Sequence, residues 1–221
     1  MDSEIITHLF RWGHFLAGVT WIGLLYYFNF IQGSYFKEAE DDARVDAFVK
    51  LVPRALWWFR WGALFTFLTG CVLLGFLSGG GAQWITQDIV LGATMGTFMF
   101  LNVWGIIWRN QKVVIASNEQ VKAGGSALEG AADAGAKALL ASRTNTLFSL
   151  PMLFFMGSSA HLPSGALATA GAGLWVALAI IVVLEINAIV GKQGPMTTVS
   201  GVITSGFVLT AVLWGLLRLL A

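Results

Sequence analysis

Cysteine is almost missing from this chain: Cys71 is the single thiol in 221 residues. Without a second one, neither a disulfide framework nor a thiolate metal site can form within the chain. Charge is scarce too, at 11% of residues, against about 25% in an ordinary soluble domain. The formal net charge is +1, so the concentrated basic field that neutralises phosphates is absent and no nucleic-acid partner is expected. The sequence has no Gly-rich phosphate loop, no HExxH metal helix and no Ser-His-Asp arrangement. What fills the chain instead is apolar: 57% of residues are hydrophobic and the mean hydropathy is +0.73. A water-soluble fold of this length could not hide that surface. The expected fold is an all-α, polytopic transmembrane helix bundle in a lipid bilayer.

Six stretches approach the roughly 20 apolar residues that cross a hydrocarbon core: 5–31, 55–77, 89–108, 147–161, 166–190 and 199–220. The fourth is short unless the Ala-rich run from Ala134 continues it as one helix. Together they make one integral membrane domain over 1–221. The first stretch is too long for a signal-peptide core and lacks a basic start and a small-residue cleavage site, so it reads as a retained helix. Basic residues set orientation. Lys37, Arg44, Lys50, Arg54 and Arg60, then Arg109, Lys112, Lys122, Lys137 and Arg143, then Lys192, put eleven of the thirteen on one face. Both termini are therefore expected outside, in the periplasm if the membrane is the cytoplasmic (inner) membrane of a bacterium. Trp57, Trp58, Trp61, Trp104 and Trp108 fall at the predicted cytoplasmic boundary, as interfacial aromatic belts do. The acidic stretch from Lys37 to Asp46 is expected as a solvated loop or short surface helix. From Gln111 to Arg143 a cytoplasmic helical extension between the third and fourth spans is predicted, with Asp133 and Lys137 at the i, i+4 spacing of an exposed pair. Small residues such as Gly13, Ala17 and Gly18, or Gly171, Ala177 and Ala179, suit close helix contacts.

Only three histidines exist, His8, His14 and His161, and this topology puts all of them near the outer face. On a helix, Ala17, Gly18 and Trp21 share the face of His14. An imidazole above small residues makes room for a flat ring, which suits a haem b whose iron takes that nitrogen. The equally weighted alternative is an interhelical hydrogen bond. The second ligand stays open. His14 should lie on the order of 9 Å deeper than His8, so His161 matches His8 in depth better than His14, and His8 and His14 face different sides of their helix. Met152 and Met156 are further sulfur candidates, although Met more often fills core gaps.

Glu185 is the carboxylate set well inside an apolar run, and Asn102 lies at a similar depth in the third span. The structural reading is a hydrogen bond or ion pair with Asn102 or Arg109; the functional one is a proton carrier serving a redox centre.

Several of these motifs resemble the membrane domain of the cytochrome-c-linked bacterial urate oxidases. They are Arg11-Trp12-x-His14-x-x-Ala17-Gly18-x-x-Trp21-Ile22-Gly23, Trp57-Trp58-Phe59-Arg60-Trp61-Gly62 and Asn102-Val103-Trp104. Most specific are Ser142-Arg143-Thr144-Asn145, the following Ser149-Leu150-Pro151-Met152-Leu153-Phe154-Phe155-Met156, and His161-Leu162-Pro163. The resemblance implies an oxidoreductase that takes electrons from a purine, urate, and delivers them to cytochrome c. In full-length members a cytochrome c domain follows the membrane part on the outer face. This sequence has no Cys-x-x-Cys-His motif, so no cytochrome c domain is expected within 1–221 and the acceptor is expected to be a separate cytochrome c. The alternative is a non-catalytic membrane subunit, or pigment-associated partner, of a larger respiratory or photosynthetic complex. No broken helix pair or inverted repeat supports a transporter.

Overall fold

The computed structural model describes residues 3–220. Among them the chain is helical with no strand; Thr86 and Ala166 make an isolated antiparallel bridge. Helix α1 (Ser3–Tyr26) runs through a π-turn (Tyr27–Gln32) into α2 (Gly33–Glu38), and α3 (Asp41–Lys50) precedes α4 (Val52–Ser78). Helix α5 (Gln87–Asn102) likewise passes through a π-turn (Val103–Ile107) into α6 (Trp108–Lys122). Then come α7 (Ala131–His161), α8 (Ala172–Val190) and α9 (Val199–Leu219).

Five of the helical runs, Glu4–Glu38, Val52–Ser78, Gln87–Lys122, Ala172–Val190 and Val199–Leu219, are long and apolar enough to cross a membrane. Helix α7 is the sixth member of the bundle, yet its composition is less apolar. At 31 residues it is about 46 Å long. Its middle carries Ser142, Arg143, Thr144, Asn145 and Thr146, and almost every side chain from Leu140 to Met152 is buried. A helix surrounded by other helices needs complementary partners, and apolarity toward lipid is not required of it.

Helix α1 lies along α4, α5 along α7, and α7 along α9. Small residues set these distances. A Cβ placed on Gly62 would sit 3.2 Å from the Trp21 amide nitrogen and 3.3 Å from the Ala17 carbonyl oxygen, so α1 and α4 meet backbone to backbone. Pro151 lies inside α7, where it cannot donate to the Leu147 carbonyl. Gly206 of α9 packs over that carbonyl, at 3.3 Å from where its Cβ would be.

Several boundaries differ from the sequence expectation. The first helical run continues past Ile31 to Glu38, because the π-turn re-registers the backbone instead of ending it. The stretch 37–46 is the end of α2 and the start of α3, so the surface-helix alternative holds there. The span expected from 166 starts at Ala172. The chain before it is drawn to the start of α5, where the Gln87 amide donates to the Gly165 carbonyl at 2.9 Å and the Leu167 amide to the Ile85 carbonyl at 2.7 Å. Asp133 and Lys137 are both exposed on α7, as expected, but form no ion pair.

Candidate functional site

Several polar features interrupt the apolar bundle. The first is the seam between α1 and α4, where His14 Nδ1 lies 3.0 Å from Thr69 Oγ1. That hydroxyl sits 2.6 Å from the Phe65 carbonyl and 3.0 Å from the Thr66 carbonyl. Carbonyls only accept, so the hydroxyl proton goes to the backbone and Thr69 accepts from His14 Nδ1–H. The tautomer assigned by this network leaves the lone pair of a neutral imidazole on Nε2. Gly70 gives the ring its room: a Cβ there would lie 3.2 Å from His14 Cε1. Ala17, Gly18 and Trp21 do share the face of His14, but α4 fills it. Gly18 approaches Thr66, Ala17 and Trp21 approach Gly62, and Trp21 is buried with an indole N–H that has no acceptor. The sequence showed the small residues; it carried no sign that Thr69 and Gly70 were their partners.

His8 and His161 are exposed, and no hydrogen bond joins any two of the three histidines among the described residues. His161 ends α7, just before a loop anchored by a residue that sequence reasoning missed. Asp88 is fully buried and accepts from the Ser158 hydroxyl at 2.6 Å and the Ser164 amide at 2.6 Å, pinning residues 162–165 across the start of α5. Met156 packs on Gly92, and Met152 is buried in the core. A cleft of about 520 Å³ opens between α4 and α5, lined by Leu74, Ser78, Val90, Thr94 and Phe98 among others, and no histidine lines it.

The second feature is a buried polar centre joining α5, α7 and α8. Asn102 Nδ2 donates to Asn145 Oδ1 at 3.0 Å and to Glu185 Oε2 at 3.1 Å, while Asn145 Nδ2 donates to the Met99 carbonyl at 2.9 Å. Asn145 is 0%, Asn102 1% and Glu185 8% exposed. Of the two partners expected for Glu185, Asn102 is the one found; Arg109 is exposed and makes no ion pair with it. Asn145 was visible in the Ser-Arg-Thr-Asn motif, but its facing partner was not. On the α1 side of α7, Asn29 Nδ2 donates to Ser142 Oγ at 2.8 Å and Tyr26 shares a hydrogen bond with Ser149 at 2.9 Å. Asn29 lies inside one π-turn and Asn102 immediately precedes the other. Such bulges within α-helices are frequent at functional sites.

At the loop end that holds α3, Lys122 and Lys50 both pair with Asp46. Their hydrogen bonds hold the Asp46 carboxyl below its usual range, and the same contact raises Lys50.

Residues 78–193 match the family described as urate oxidase N-terminal, more than half of the chain. The chain belongs to the urate oxidase N-terminal family. The matched segment holds Asp88, Asn102, Arg143, Asn145, His161 and Glu185, so the buried polar centre is wholly within the family region, while His14 and its α4 partners precede it. No curated protein and no solved structure matches the chain. Among the described residues no group of three or more His, Cys, Asp or Glu side chains gathers to hold a metal ion.

Proposed function

We propose that this urate oxidase N-terminal domain is the membrane part of a urate-oxidising electron-transfer system in a bacterial inner membrane. Urate is the reductant and a periplasmic cytochrome c the oxidant. The observation that carries the redox reading is the His14 imidazole, whose Nδ1–H is committed to Thr69 and whose Nε2 is left with the lone pair. His14 would hold a haem b through that nitrogen, with Gly70 leaving the imidazole its room. A bound haem b would take up and pass on single electrons. A second ligand would come from His161, His8 or a partner chain; His8 and His161 are both exposed.

The chain's own residues then divide the remaining work. Thr69 fixes the ring orientation and tautomer. Glu185, hydrogen-bonded by Asn102 in the bundle interior, takes a proton released with the electrons and returns it to the loop end of α8. The reduced-minus-oxidised spectrum of purified protein tests the haem assignment. Soret and α bands that vanish in His14→Ala and persist in His8→Ala support it. Thr69→Val, which keeps shape but removes the acceptor, should weaken haem affinity about 10- to 100-fold. A folded, colourless protein that takes up no added haem overturns the assignment.

A non-catalytic subunit role is the second reading. It is favoured by the exposure of His8, in the second turn of α1, and of His161, the last residue of α7, where a partner would contribute the chemistry.

A further inference from the structure

The Arg60 guanidinium of α4 lies 3.9 Å from the centre of the Trp108 ring, and the Lys112 ammonium lies 5.7 Å from the same centre, one turn further along α6. Both helices build the place. The Trp104 indole N–H donates to the Arg60 carbonyl at 3.2 Å, and the Trp61 and Trp104 rings meet edge to face at 5.8 Å. These contacts hold the backbone of Arg60 against the π-turn that leads into Trp108.

A guanidinium drawn over an indole ring by its charge still has its N–H donors to give. Among the described residues every ion pair runs to Asp41 or Asp46, and neither Arg60 nor Lys112 makes an ion pair or a side-chain hydrogen bond. Two cations therefore converge on one ring without a counter-charge, which their mutual repulsion opposes. Depth says where the counter-charge comes from. Counted from Ser78 and Gln87, the ends of α4 and α5 away from the basic loops, the roughly 20 residues that cross hydrocarbon run out near Arg60 and Trp108. Trp57 and Trp58, within a turn of Arg60, are exposed, as indoles at headgroup level are.

We propose that Arg60, Trp108 and Lys112 form a binding site for the phosphate of an anionic phospholipid headgroup. The Arg60 fork takes phosphate oxygens, and the Lys112 ammonium adds a second positive charge beside it. The Trp57 and Trp61 rings, 6.2 Å apart, give the glycerol end an amphipathic wall. A zwitterionic headgroup fits less well, because both cations repel its ammonium. The site uses neither His14 nor Glu185, so its test is independent of the haem and proton-carrier assignments.

Phosphatidylglycerol titrated into the full chain in a non-ionic detergent, with thermal unfolding as the readout, tests the site. Saturable stabilisation is expected from phosphatidylglycerol and not from phosphatidylcholine. Its half-saturating concentration should rise about tenfold or more in Arg60→Gln and by a smaller factor in Lys112→Gln. Arg60→Lys should fall between Arg60→Gln and the parent, because an ammonium lacks the planar fork. Lys192→Gln, which removes an exposed charge from another loop, should leave the titration unchanged. Should Arg60→Gln fail to fold, Lys112→Gln, at an exposed position, carries the comparison. An unchanged half-saturation in the Arg60 and Lys112 variants overturns the proposal, as does an equal rise in Lys192→Gln. Equal stabilisation by phosphatidylcholine overturns the anionic selectivity, and equal stabilisation by inorganic phosphate alone overturns the lipid source.

Discussion

Replacing Asn102 by leucine is the sharpest test of the buried polar centre. One nitrogen, Asn102 Nδ2, supplies both Asn145 Oδ1 and Glu185 Oε2. Asn145 keeps its own donation to the Met99 carbonyl, so the substitution strands two acceptors and frees no other group. Leaving a buried acceptor unsatisfied costs about 1–3 kcal/mol, whereas interhelical hydrogen bonds measured in membranes average about 0.6 kcal/mol. The near-complete burial of all three residues favours the larger figure, and the expected loss for Asn102→Leu is about 3 kcal/mol. For a chain of this size that is a drop of about 6–12 °C in Tm. Thermal unfolding followed by the fluorescence of the ten tryptophans reads it directly. Adding Glu185→Leu to Asn102→Leu removes one of the stranded acceptors, and the double variant should regain roughly half of the loss. Asn102→Asp should be worse than Asn102→Leu at neutral pH, because it sets a second carboxylate against Glu185. The reasoning fails if Asn102→Leu unfolds within about 2 °C of the parent, or if Asn102→Asp proves the more stable of the two.

Gly62→Val should destabilise by about 1–3 kcal/mol, since its Cβ meets the backbone of Trp21 and Ala17. Gly75→Val, where nothing lies within 4 Å, should stay near the parent in the same melt, and equal effects would refute the seam. The depressed Asp46 carboxyl contributes to holding α3 on α6 above the ordinary carboxylate range, and the contribution disappears as pH falls through the lowered folded value. Hydrogen-exchange protection of α3, taken relative to the intrinsic rate at each pH, should therefore fall at acid pH in the parent, and already be lower at neutral pH in Asp46→Asn. About 1 M salt should erase the difference between the two; a difference that persists in salt would mean that the ion pairs are not its cause.

Hydropathy and helix length were enough to find five of the spans, though not all their ends, and to set Glu185 and Asn102 at matching depth, because burying backbone and charge in hydrocarbon is costly. The azimuth of each helix was not legible. Lipid and helix neighbours are both apolar, so a periodic apolar face does not say which one it meets. Ala17, Gly18 and Trp21 thus suggested space for a ring, and only the packing of α4 assigned them to a seam closed by Gly62, Thr66 and Thr69. The same limit hid α7. Its polar residues read as a short, weak span, yet they are the ones the tertiary structure surrounds, pairing Asn145 with Asn102 and Ser142 with Asn29 while leaving Arg143 alone. The chain's chemistry along the membrane normal belonged to its sequence; which side chains meet around that normal was decided by how closely glycines let the helices approach.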